Sequence, residues 1–262
     1  MLKKRLVPKL LIKHRLLGCT VRPVLVTTRT FADSIEVGDP VSQAKIYEAQ
    51  MADELIVLNI DGTPIGGDAM MLDLIARLAS ETFMPLAVGG GVRAVGDFDT
   101  LLASGADKVT VNQAAVADPS LIDEAARRYG AQVVVVSIDY RVVDDRPEVF
   151  VDHAAQSTGR GPIEWAREAV ARGAGEILLT NADRDGTGQG LDIELARELT
   201  DAVAVPVILS GGCGLAAHFG EGFIDGGAEA VAAGTFFSFR DQNPIQTRSH
   251  IMNAGVPVRM ET

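Results

Sequence analysis

A chain of 262 residues, 47% apolar and 23% charged, can bury one large core, and (β/α)8 barrels commonly have this length. Its formal charge of −11 argues against nucleic acid as the main partner, because a phosphate backbone wants a basic face. Two cysteines, Cys19 and Cys213, make neither a disulfide framework nor a metal cluster, which fits a reducing cytoplasm.

The start, Met1 to Pro8, is basic, but Pro8 and Lys9 interrupt any apolar core before it reaches signal-peptide length. No stretch approaches the roughly 18 uninterrupted apolar residues of a membrane span. The first strand is expected over 5–12. A long segment over about 14–38 follows, containing a β-rich run, Pro23 to Thr28. Further strands are expected over 54–60, 84–88, 107–112, 132–139, 176–181, 205–210 and 229–233. Helical periodicity lies between them, as over 70–81, 119–129, 163–173 and 192–202. Trp165 in the third of these helices reads as helix-to-barrel packing, and Asp144-Asp145 as a solvated hairpin turn. Eight strands separated by helices favour a closed parallel barrel in one domain, 1–262; a doubly wound open sheet is the alternative.

An internal repeat favours the barrel. The run Met84 to Gly91 resembles Val205 to Gly212, Asp53 to Leu58 resembles Gly175 to Thr180, and Gly105 to Val109 resembles Gly227 to Val231. The matches keep offsets of 121 or 122, giving half-barrels of about 1–130 and 131–262. Barrel enzymes place their chemistry at strand C-termini. The exits here are rich in small residues that expose N–H groups to a phosphate: Gly90, Gly91, Asn112, Asp185, Gly186, Thr187, Gly211, Gly212, Ala233 and Gly234. The four histidines, His14, His153, His218 and His250, lack metal-ligand spacing, so neither a metal nor another cofactor is expected.

Over nearly its whole length the chain resembles the HisF family, the cyclase subunits of imidazole glycerol phosphate synthase. The resemblance is carried by Val88 to Gly91, Gly105 to Val109, Val136 to Asp139, Gly173 to Thr180, Asp183 to Thr187 and Ser210 to Gly212. It implies a (β/α)8 barrel that receives ammonia from a HisH-type glutaminase on its N-terminal face and delivers it to a bisphosphorylated substrate at the C-terminal face. It also implies that Asp139 is a catalytic acid or base, that Arg5, Glu54, Lys108 and Glu176 form the ammonia gate, and that Asp107 lies at the glutaminase interface. Gln132 matches the family too.

The departures are as specific. Leu11 stands where the family's other catalytic aspartate belongs, and leucine can neither give nor take a proton. Asn59 replaces an aspartate, Gln113 replaces a small hydroxyl residue beside the first phosphate grip, and the lid loop over about 14–38 is lengthened. Three functions compete. One is the cyclase itself. Another is a branch of the HisF family associated with acetamidino modification of surface sugars, working with a glutaminase and a separate amidotransferase-like protein. The third is a silent barrel that binds a phosphometabolite as a scaffold. The substrate is expected to be a phosphorylated or sugar-derived small molecule, with no nucleic acid or membrane involved.

Overall fold

The computed structural model describes residues 3–239 and 242–259; residues 1–2, 240–241 and 260–262 of the expected 1–262 domain lie outside this description. Eight strands close on one another, every pair parallel: β1 (Arg5–Leu17), β4 (Leu55–Asn59), β5 (Leu86–Gly89), β6 (Lys108–Val111), β7 (Val134–Val143), β10 (Glu176–Asn181), β11 (Val207–Ser210) and β12 (Ala230–Ala233), with β12 returning to β1. Helices α1 (Pro40–Ala49), α2 (Ala69–Glu81), α3 (Val95–Ala103), α4 (Gln113–Ala117), α5 (Ser120–Tyr129), α6 (Pro162–Ala171), α7 (Ile193–Ala202) and α8 (Ala216–Ile224) occupy the crossovers, and α9 (Thr235–Phe239) and α10 (Pro244–Asn253) follow the last strand. This is a (β/α)8 barrel.

Alternation along the strands makes two cores. One face packs against the helices in a large apolar layer that includes Leu10, Val57, Val136, Leu179 and Trp165. The other fills the barrel interior with Val7, Ile56, Ala87, Val135, Leu178, Ile208, Ala230 and Ala232.

The segment over about 14–38 is mostly sheet. β1 runs to Leu17, turns at Gly18 and pairs antiparallel with β2 (Thr20–Thr28), which pairs with β3 (Ser34–Gly38). The second half repeats the device: β7 continues through the Asp144-Asp145 turn into β8 (Arg146–Val151) and a short β9 (Gln156–Ser157). Both aspartates of that turn have positive φ, as tight hairpins require.

The halves also share their loop chemistry. An added Cβ on Gly90 would lie 2.0 Å from the Asn59 carbonyl oxygen, and one on Gly211 would lie 2.4 Å from that of Asn181, so only glycine fits either exit. Asn59 donates to Asp68 (2.9 Å), whose other oxygen caps α2. Asn181 donates to Asp192 (3.4 Å), which caps α7. An aspartate at position 59 would set two carboxylates against each other inside the protein, so the Asn59 departure follows from the partner it meets.

Candidate active site at the barrel mouth

Asp139 stands midway along β7, half-buried at the barrel mouth, and Asn112 donates to its Oδ2 at 2.6 Å. Burial pushes its carboxyl up to about 6; Lys9 opposes this and Asp185 reinforces it. Asn112 Oδ1 has no partner among the described residues, so the amide that serves the carboxylate also offers an acceptor to its proton. Asp139 can therefore hold or release a proton near neutrality, as a general acid or base must.

Leu11 occupies the equivalent place in the other half. It is registered with Leu58 as Asp139 is with Thr180, and Leu58 and Thr180 correspond in the repeat. Leu11 is 7% exposed and packs with Val24 and Val26 of β2, against Leu58 and Ile60. One side of the mouth thus carries a titratable carboxyl and the other an apolar plug.

Asp185, Gly186, Gly211, Gly212, Ala233 and Gly234 come together with Ser210, Cys213 and Thr235 around one narrow cleft. Thr187 lies outside that lining and donates to the Arg184 carbonyl at 2.7 Å within its own loop. Gly90, Gly91 and Asn112 belong to the other half's exits and do not line this cleft. Gln113 is exposed at the start of α4.

Lys9 escaped the sequence reading. Its ammonium is buried, 3.3 Å from Asp185 Oδ1 and 3.0 Å from Ser210 Oγ. The stem crosses β12, whose inward Ala232 leaves the space. The available signal was its period-two spacing with Arg5, Val7 and Leu11, which puts it on the interior face.

The mouth is covered. Thr28 Oγ1 donates to Asp185 Oδ2 at 2.9 Å, Thr30 N–H donates to the Asp185 carbonyl at 2.8 Å, and Arg141 donates to the Thr30 carbonyl at 3.2 Å. Phe31 packs against Phe150, Ala154 and Ala182. The first-half hairpin is thereby fastened to the second half.

At the opposite end Arg5, Glu54, Lys108 and Glu176 close into a ring. Arg5 bonds Glu54 at 2.5 Å and also Glu176, while Lys108 bonds Glu54 at 2.9 Å and Glu176 at 2.8 Å. Each cation touches both carboxylates, which are buried, so the set is neutral and satisfied. Arg5→Ala leaves both carboxylates to Lys108 alone and is expected to cost about 3 kcal/mol of stability, read as a lower denaturant midpoint at unchanged m-value. Asp107 is exposed beside this end, accepting the Leu86 N–H at 2.8 Å. Its repeat counterpart Glu229 accepts the Val207 N–H at 3.0 Å, so this carboxylate has a structural duty whatever docks there. Another cross-chain pair, Asp53 with Arg248 at 2.7 Å, ties α10 to the same end.

A family model described as "Histidine biosynthesis protein" matches residues 18–242. A Prochlorococcus marinus protein provisionally named imidazole glycerol phosphate synthase subunit hisF2 is 50% identical over 262 residues, the full length of both chains. An imidazole glycerol phosphate synthase subunit HisF from Hyphomonas neptunium is 46% identical over 259 residues, 99% of each chain.

Proposed function

Since the chain belongs to the histidine biosynthesis protein family as a HisF-like (β/α)8 barrel, we propose that it is a synthase subunit whose ammonia is spent on amidination of an acetamido sugar rather than on closing an imidazole ring. Ammonia would come from a HisH-like glutaminase docked around the ring of Arg5, Glu54, Lys108 and Glu176, with Asp107 at the contact, and would pass up the barrel interior. A separate amidotransferase-like protein would complete the transfer on the pathway to a surface polysaccharide, in the cytoplasm. Asp139 serves as the acid or base, and the glycine-lined cleft takes the phosphorylated part of the ligand.

The observation that carries this reading is Leu11, buried in an apolar plug at the place equivalent to Asp139. A two-carboxylate mechanism has no second group there. The charged ring keeps all four members in contact, which supports ammonia entry in either enzyme reading.

Supplied with ammonium and the HisF substrate, the purified chain is expected to form imidazole glycerol phosphate about a hundredfold or more slower than a cyclase with both carboxylates. Robust turnover would overturn the proposal in favour of the cyclase, a reading supported by the 46% identity to a HisF subunit. Isolation from the native host is expected to bring a glutaminase with it; a chain that arrives alone counts against ammonia delivery in either form.

A further inference from the structure

We propose that the mouth has a single anion grip, made by Lys9 at the second-half cleft, so that the acceptor carries one phosphoryl group where a symmetric barrel would grip two. This deepens the reading above and rests on it only in taking the mouth as the substrate site.

The duplication itself provides the comparison. Lys9 is registered with Ile56, and Ser137 with Leu178, so Ser137 is the second half's counterpart of Lys9. The residue before the exit glycines is Ser210 in one half and Gly89 in the other. The residue four past the strand-end asparagine is Asp185 in one and Thr63 in the other. Every member of the Lys9, Ser210 and Asp185 cluster is thus uncharged in the first-half equivalent.

The start of the helix that follows differs in the same sense. Gly234 and Thr235 present small groups to the cleft, whereas their counterparts are Asn112, committed to Asp139, and the long side chain of Gln113. Asp139, which Asn112 of the first-half grip contacts, repels an anion there once ionised.

Lys9 can serve a ligand without breaking its present contacts. An ammonium has three N–H donors, and Asp185 and Ser210 take two; among the described residues none takes the third. The Lys9 carbonyl also abuts Gly234, an added Cβ there lying 3.1 Å away, so the lysine backbone borders the cleft while its ammonium bonds two residues of the lining, Asp185 and Ser210. Asp185 contributes a carboxylate to the same lining. Without Lys9, an entering phosphate would meet an unpaired negative charge; with it, the pair is neutral and donors remain.

The test is calorimetric titration of the unaltered chain with inorganic phosphate, repeated with glycerol phosphate. One site per chain is expected. Lys9→Met should weaken binding about tenfold or more, while Lys9→Arg, which keeps the charge, stays within about threefold. Two sites of similar affinity, no binding of either probe, or wild-type affinity in a folded Lys9→Met variant would each overturn the proposal. Stoichiometry is read on the native sequence, so a variant that fails to fold leaves the test standing. Neither ammonia, glutaminase nor sugar takes part, so failure here removes the phosphate role of the cleft but leaves the amidination chemistry untested by it, and failure of that chemistry leaves this grip measurable.

Discussion

Leu11→Asp is expected to destabilise the barrel by about 4 kcal/mol and lower its melting temperature by about 10 °C. The cost has two parts. Leu11 is enclosed by Val24, Val26, Leu58 and Ile60, so truncation opens a cavity between the first strand and the hairpin above it. A carboxylate in that place is then set among apolar side chains, where burial penalises its charge. Leu11→Ala, which suffers only the first part, should fall about halfway between the variant and the native protein. Equal melting temperatures for all three would show that the plug is not packed as described. The same variant also reports on history: cyclase activity that appears or rises steeply with the restored aspartate would mark Leu11 as the scar of a lost function.

That plug shows how far the sequence could be read. The eight strands were legible because each is a short apolar run with a glycine or polar exit, and the barrel because two sets of exits keep one spacing. Strand lengths were less so: β1 extends to Leu17, beyond the 5–12 expected, since Lys13, His14 and Arg15 break the apolar run where the strand passes the barrel rim and pairs with β2. At the site, Leu11 declared itself as a departure, yet its neighbours Val24 and Val26 lie across a turn whose register no local pattern fixes. Lys9 was hidden for a physical reason: a lysine inside an apolar strand reads as an interruption until its partners, Asp185 and Ser210, are brought to it by the closure of the barrel. The pairing of Asp53 with Arg248 has the same origin. Long-range electrostatics is written in the topology, whereas the glycine exits are written in the local backbone.

Asp139→Asn should reduce ammonia-dependent turnover about a thousandfold while making the protein more stable at pH 8, by about 3 kcal/mol. The two effects have one source. The folded protein holds the carboxyl at about 6, above its ordinary 3.8, chiefly because burial penalises the charge. Between those values the folded chain binds a proton that the unfolded chain releases, so native stability falls as pH rises through the window and stays reduced above it. An amide has no charge to bury and can still accept from Asn112, so its advantage should be absent below pH 3.8, grow up to about pH 6 and then level off. Melting curves across that range read the stability. Turnover of the native protein should rise through an apparent pKa near 6 if Asp139 acts as the base, and fall through it if it acts as the acid. A variant with the native stability profile would deny the burial cost, and one with native turnover would remove Asp139 from the chemistry; a residue kept only for hydrogen bonding at the mouth predicts the second result, because asparagine preserves that bond.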